Sequence, residues 1–519
     1  MNGIPSPGQD LGSGVGLGSG VDLGNGVDLG SGVGLGSGVD LGIGMPSYVE
    51  RQRSPIAENP DPVQKTCVHA PLLIACVGVL AAFQAWTADW PRFLGPTGNS
   101  FSPETGLIDR ISSNGVPILW DRVIGTGYSA PSVRNGKLVL HHRLKDQEII
   151  EALDAVTGDS LWRYAYPTAY QDPYGYNNGP RCTPLLSTDR AYTFGAEGRL
   201  VCLDRETGRR IWERETAKEF EIPDAFFGVG STPILEDNRL VVMLGGQPNS
   251  GVAAFDPETG KTLWENVGES NWTGQPMRGW PGEPLVRWQR SEKQASYASP
   301  VPATFHGQRH LLCLLRQGLV SVNPTNGAAN FSFWFRARVP ESVNAANPVV
   351  HNDLILISAA YYKVGSVLLR VHPDGRGVDE VWRSTSLECH WSTPLLIDQH
   401  LYAFSGRNEP DAIFRCVDFH SGKVAWERSE RWQPHSARQP KVFGRGSLIH
   451  ADGRLIALGE GGLLGLFRTT PEGCQELGRW QVPSLAYPCW ASPVLSNARL
   501  YLRSEDHLIC LGLAKPSVP

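Results

Sequence analysis

Apolar positions along most of this chain fall in short alternating runs, each stopped by glycine, asparagine, aspartate or a small polar cluster. The stretch Arg181 to Trp212, RCTPLLSTDRAYTFGAEGRLVCLDRETGRRIW, shows the pattern most clearly. RCTPLLS, RAYTFGA and GRLVCLD read as three strands separated by turns, and a fourth strand follows the tight turn in RETGRRIW. Together they predict one four-stranded antiparallel unit. Its last eleven residues place Cys202, Asp204, Gly208 and Trp212 at positions one, three, seven and eleven. The same spacing recurs in Ala152, Asp154, Gly158 and Trp162, in Ala254, Asp256, Gly260 and Trp264, and in Cys416, Asp418, Gly422 and Trp426.

That spacing has a physical meaning. An Asp-x-x-x-Gly turn uses the carboxylate to close on backbone amides, and the glycine takes a positive φ so that the third strand folds back into the fourth. A tryptophan on the fourth strand buries on the order of 200 Å², about 5 kcal/mol at roughly 25 cal/mol per Å² before entropy. One isolated sheet has nowhere to hide such a ring. A neighbouring sheet that presents a small residue does, which predicts radial stacking of the units.

Counting units gives eight. The fourth strands carry Trp120, Trp162, Trp212, Trp264, Phe331, Trp382, Trp426 and Trp480 as structural docking residues. Blade one runs from about Tyr128; an insertion from Glu269 to Ala295 precedes the strands of blade four, and blades five and seven lack the Asp and Gly of the turn. Residues 116–123 hold a fourth strand with no predecessors, and residues 490–513 hold three strands with no successor. Joining the two removes two exposed sheet edges. The predicted fold is therefore all-β, an eight-bladed β-propeller of four-stranded antiparallel blades over residues 116–513, closed by its N-terminal strand. Such a ring is complete within one chain, and a monomer is expected.

The rest of the chain reads differently. Residues 1–65 include five copies of a Gly-x-Gly-Val-Gly/Asp-Leu hexad between positions 12 and 41, a low-complexity segment expected to be disordered; Met45 offers a second translation start. Residues 66–88, TCVHAPLLIACVGVLAAFQAWTA in part, carry no Asp, Glu, Lys or Arg and follow Arg51, Arg53 and Lys65, as a signal peptide or a membrane anchor would. Export to the periplasm or cell envelope is the inference. Residues 89–115 form a Pro- and Gly-rich lead-in and residues 514–519 a tail.

Composition narrows the function classes. The chain has 16 Trp, only 4 Met, abundant Gly and Pro, and a formal net charge of −5, which suits many short strands and gives nucleic acid no basic surface. Its 10 cysteines fall mostly on first and third strands, about 10 Å apart within a blade. A disulfide needs Cα atoms within about 7 Å, so the cysteines read as small buried residues.

The repeated Ala-x-Asp-x-x-Thr-Gly-x-x-x-Trp, as in ALDAVTGDSLW, resembles the tryptophan-docking motif of eight-bladed quinoprotein dehydrogenases and of bacterial PQQ-binding-like propeller repeat proteins, a superfamily that includes the scaffold lipoprotein of outer-membrane protein assembly. The resemblance covers residues 89–513. It implies the fold; the motif packs blades and touches no cofactor, so it leaves function open.

Residues just before each first strand converge on the axis of a propeller. Here these are Tyr128, Tyr176, Asn177, Asn178, Arg181, Phe227, Tyr297, His390, Trp391, Arg445 and Trp490, with Tyr174, Phe226, Asn344, Asn347 and Phe443 beside them. Rings, amides and two arginines at one mouth either bind a flat polar or anionic ligand, such as a quinone or a sugar, or plug the channel. The resemblance to quinoprotein dehydrogenases implies PQQ held beside calcium by a Glu, Asn and Asp set, with an Asp as base and a stacking Trp. Near the mouth only Asp224, as base, and Glu388, as metal ligand, answer that description, and exposed loops commonly carry such carboxylates. His141 and His142 are adjacent on a strand and point to opposite faces, away from any shared metal. The sequence thus favours a binding or scaffold propeller with no cofactor, whose partners are other envelope proteins or a small polar ligand or sugar; the alternatives are a PQQ-dependent dehydrogenase of alcohols or sugars and a carbohydrate-binding propeller.

Overall fold

Every copy of the repeated motif closes a blade in the same register. Cys202 lies opposite Trp212, Ala152 opposite Trp162, Ala254 opposite Trp264 and Cys416 opposite Trp426. The small residue is thus the ring's cross-strand partner within its own sheet, a correction to the expectation that the neighbouring sheet presents it. What the neighbour offers is the motif's glycine. A Cβ built on Gly158, Gly208, Gly260 or Gly327 would come within 2.8, 2.5, 2.7 and 2.3 Å of the rings of Trp120, Trp162, Trp212 and Trp264, each from the preceding blade. With no side chain in the way, the indole lies flat on backbone. Its N–H then donates to the carbonyl that follows the motif's Asp or Asn: Trp162 to Arg205 at 3.0 Å, Trp212 to Pro257 at 2.9 Å, Trp264 to Pro324 at 3.0 Å and Trp382 to Phe419 at 3.0 Å. The turn is held by its carboxylate, as in Asp204, which accepts from the backbone N–H groups of Glu206 and Thr207 at 3.1 and 2.8 Å.

The computed structural model describes residues 88–222, 227–246, 250–267, 296–337, 342–407, 412–430 and 442–516. The hexads at 12–41, residues 66–87, Asp224, Phe226 and the insertion at 269–295 lie outside the described residues. Within them the chain forms eight four-stranded antiparallel sheets. Seven use consecutive strands, the first being Ser132–Arg134, Lys137–Leu144, Gln147–Asp154 and Ser160–Pro167. The eighth combines Val494–Ser496, Arg499–Arg503 and His507–Gly512 with Ile118–Val123 from the other end of the chain, and Trp120 faces Cys510. The Trp120 indole reaches the carbonyl of Ala155 in blade one at 3.3 Å, so the ring is closed by the device that joins its other blades. Trp480 finds its seat on Gly115, just ahead of the closing strand. Phe331 has no N–H to donate, and the blade that follows it lacks the Asp and Gly turn.

The middle strands of each blade are buried on both faces, for example Leu138, Val139 and Leu140 at 0% exposure, because a blade lies on either side of them. The docking rings lie nearer the rim. Trp212 is 9% exposed and the other docking tryptophans are half-buried, so each ring contributes less than full burial would give. Eight cysteines are described, all free thiols, and seven are buried.

The lead-in occupies an unexpected place. Trp90, 1% exposed, exchanges hydrogen bonds of 2.9 and 2.8 Å with Val133 on the innermost strand of blade one. Pro91 accepts from Leu186 in blade two, and Ser100 and Ser102 bond to His450 in blade seven. Glu104 accepts from the backbone N–H groups of Asn497 and Ala498 in blade eight at 2.7 and 2.6 Å. Arg92 and Phe93 meet the inner strands of blades three and four. The segment therefore ties together several blades at their inner strands and brings Phe93 to the axial cavity.

Candidate functional site

An axial cavity of about 370 Å³ has Phe93 of the lead-in among its lining residues. Tyr128, Tyr176, Arg181, Phe227, Tyr297, His390, Trp391, Arg445 and Trp490 all line it. Each lies just before an innermost strand, where successive blades bring their connecting loops to the axis. Asn177 and Asn178 do not line it. The Asn177 amide donates to Glu505 at 2.5 Å and accepts from Gly179 N–H at 2.7 Å, and the Asn178 carbonyl oxygen accepts from Asp172 N–H at 2.7 Å, so both brace the loop from behind. Glu388 also lies outside the lining; its backbone N–H donates to Ser405 Oγ at 2.9 Å.

The lining residues not foreseen from the sequence include Phe93, Tyr361, Arg407 and Tyr487. Glu460, which stands immediately behind the wall, was not foreseen either. Tyr361, Arg407 and Glu460 belong to loops joining second to third strands, which open on the same face as the loops between blades; that shared face was the signal available.

Two of the three arginines are paired. The Arg445 guanidinium donates to Glu460 Oε2 at 2.7 and 3.0 Å, and the Trp490 indole N–H donates to the same oxygen at 3.1 Å. Arg445 also lies over the rings of Trp391 at 4.7 Å and Trp490 at 5.3 Å. Arg181 pairs with Asp172 at 2.6 Å and sits 5.5 Å from the Tyr128 ring centre. The Tyr128 hydroxyl donates to Glu505 at 3.1 Å; burial, then that carboxylate, pushes its pKa well above the ordinary phenol value. Arg407 differs: its guanidinium lies over Tyr361 at 4.6 Å and Tyr362 at 4.9 Å, with no carboxylate paired to it among the described residues.

His390 stacks on Tyr361, with ring centres 5.0 Å apart, and meets the edge of Trp391. Burial, with the nearby Arg445 and Arg407, lowers its pKa to about 3, so the ring is neutral at neutral pH. His390 Nδ1 and Trp391 Nε1 are buried polar atoms with no hydrogen-bond partner among the described residues. Buried groups of this kind are usually satisfied, and here both belong to cavity-lining residues.

The arrangement suits a flat, electron-rich, negatively charged molecule, which rings can stack and guanidinium groups can neutralise. It suits a calcium-assisted quinone less well. A hard cation needs several oxygen ligands. The nearby carboxylates of Asp172, Glu460 and Glu505 are taken up by Arg181, by Arg445 and Trp490, and by Tyr128 and Asn177. Among the described residues no three His, Cys, Asp or Glu side chains are grouped to hold a metal ion. Away from the axis, His141 faces Glu148 at 3.3 Å and His142 faces Glu151 at 3.3 Å, two separate buried pairs.

Known proteins agree with this architecture. The quinohemoprotein alcohol dehydrogenase ADH IIB of Pseudomonas putida is 29% identical over 121 residues, 22% of this chain and 16% of that protein. The outer membrane protein assembly factor BamB of Burkholderia pseudomallei is 29% identical over 118 residues, 22% of this chain and 27% of that protein. This chain thus spans well under half the length of these curated relatives. Among solved structures, the quinohemoprotein alcohol dehydrogenase from Comamonas testosteroni superposes with a TM-score of 0.53 at 12% identity, covering 83% of this chain and 81% of that one. BamB from Moraxella catarrhalis does so at 0.50 and 12% identity, covering 78% and 99%. Both superpositions show the fold alone. Residues 145–428, over half of the sequence, match a family of PQQ-like repeat propellers, and the chain belongs to that family, described as outer membrane protein assembly factor BamB.

Proposed function

We propose that this protein is a non-catalytic binding propeller of the cell envelope, whose axial cavity holds a small planar anion while its outer surface meets other envelope proteins. One observation carries the reading: among the described residues, three carboxylates beside the cavity are engaged by its own wall. Glu460 is held by Arg445 and Trp490, Asp172 by Arg181, and Glu505 by Tyr128 and Asn177. A base or a metal ligand has to be available to its substrate, and these groups are committed to the wall. Family membership supports the scaffold side, and residues 66–88 support export.

The test is to supply purified full-length chain with PQQ and calcium and follow dye reduction with alcohols and sugars. The reading predicts no turnover. Turnover at the rate of a quinoprotein dehydrogenase would overturn it, and would bring forward Asp224 as base and Glu388 as metal ligand. Selective binding on a glycan array, lost in Trp490→Ala, would instead establish a carbohydrate-binding propeller. Mass spectrometry of the mature N-terminus after cell fractionation tests export: cleavage near Ala85 or Ala88 marks residues 66–88 as a signal peptide, and retention of the segment in the membrane marks it as an anchor.

A further inference from the structure

The cavity is electrically lopsided. On the side built by blades one and two, Arg181 is neutralised by Asp172 at 2.6 Å. On the side of blades seven and eight, Arg445 is neutralised by Glu460 at 2.7 Å, with the Trp490 N–H sharing that carboxylate. Between blades five and six no such pairing exists among the described residues. The Arg407 guanidinium lies over the faces of Tyr361 and Tyr362, and among the described residues its N–H groups meet no acceptor side chain. His390 and Trp391 line the same wall through their rings, with His390 Nδ1 and Trp391 Nε1 buried inside it and without a hydrogen-bond partner among the described residues. His390 stacks on the Tyr361 ring that also supports Arg407. Among the described residues no Asp or Glu lines the cavity.

From this geometry we infer that the cavity takes an aromatic monoanion, with its single carboxylate directed at Arg407 and its ring system lying towards Trp490 and Tyr176. The inference deepens the proposed binding function and rests on it. One uncompensated guanidinium calls for one negative charge. A second or third carboxylate would have to compete with Glu460 or Asp172 for an arginine already engaged, at the cost of stripping water from an anion with no free counter-charge. A carboxylate can accept two N–H groups of the Arg407 fork as a bidentate pair. The volume of about 370 Å³ is ample for a two-ring acid.

The experiment is a calorimetric and tryptophan-fluorescence titration of the full-length chain with three probes of the same ring system: naphthoate, the neutral naphthamide, and naphthalene dicarboxylate. Naphthoate should bind about tenfold or more tighter than naphthamide, the factor one charge-assisted hydrogen bond is worth, and also tighter than the dicarboxylate. Arg407→Gln should erase the preference for naphthoate over naphthamide, Arg407→Lys should restore part of it, and Trp490→Ala should weaken both probes alike. Circular dichroism of each variant confirms that it folds. Equal affinity for naphthoate and naphthamide, or tighter binding of the dicarboxylate, would overturn the monoanion inference and leave the binding cavity standing. Failure of all three probes to bind would overturn both.

Discussion

The seat of each docking ring gives the sharpest stability test. Gly260 and Gly136 both lie in turns at positive φ, +70° and +71°, and differ in one respect. A Cβ on Gly136 meets nothing within 4 Å, whereas a Cβ on Gly260 would stand 2.7 Å from Cδ2 and Cε3 of Trp212. Gly136→Ala should therefore cost only the left-handed backbone strain of an L-residue, about 1–2 kcal/mol. Gly260→Ala adds the displacement of a ring that is 9% exposed and the weakening of its 2.9 Å hydrogen bond to Pro257, itself worth about 0.5–1.5 kcal/mol. Its total should be about 2–4 kcal/mol. Urea unfolding of the full-length chain, followed by circular dichroism, reads the difference as a lower midpoint for Gly260→Ala. In a Trp212→Leu background the Gly260→Ala penalty should shrink to that of Gly136→Ala, since the coupling runs through the ring. If the two glycines cost the same in the native background, or the Trp212 replacement leaves the Gly260 penalty unchanged, docking of indole on glycine is not what joins the blades.

Three further outcomes follow from the same structure. Deleting residues up to Val123 removes the strand that faces Cys510 and exposes an unpaired edge, so the truncated chain should unfold at lower urea and aggregate by light scattering; unchanged stability would refute closure by the N-terminal strand. Burial pushes the thiols of Cys202, Cys313, Cys389, Cys489 and Cys510 to about 12, so mass-mapped alkylation should leave these five untouched until the protein is denatured; fast labelling of any of them in the native state would contradict their place between blades. His390 stays neutral in the folded chain down to about pH 3, while the unfolded chain protonates it near 6.5. The unfolded state then binds more protons between those values, and stability falls as pH drops through that window; His390→Gln should lose less stability between pH 7 and pH 4 than the native chain, and parallel profiles would refute the assignment.

Much of the ring was legible in the sequence because its repeat is a covalent spacing. The distance from Asp204 to Gly208 to Trp212 is fixed by one turn and one strand, and four such endings, with four more fourth strands marked by their aromatic residue, can be counted without coordinates. The pairing of Trp120 with Cys510 followed from counting missing strands. The identity of the docking partner was not legible, since a small residue and a glycine recur with the same period and only register shows which faces the neighbouring blade. The axial cavity was half legible. Residues ahead of innermost strands, such as Tyr128, Arg181 and Trp490, must gather at the hub, but Tyr361, Arg407 and Glu460 lie in loops whose sequences carry no repeat. The lead-in was the least legible: Trp90 and Phe93 sit in a stretch with no strand pattern, and its place across the hub depends on hydrogen bonds to four separate blades.

The central functional claim is that the hub is a binding cavity in which, among the described residues, Arg407 is the charge without an acidic partner. A crystal structure of the full-length chain grown with naphthoate tests it most directly. The account predicts the naphthalene rings beside Trp490 and the carboxylate within hydrogen-bond distance of Arg407, with Glu460 still bound to Arg445. A carboxylate seated on Arg181 or Arg445 in place of its own acidic partner, or an axial cavity that stays empty while the acid binds elsewhere, would contradict it.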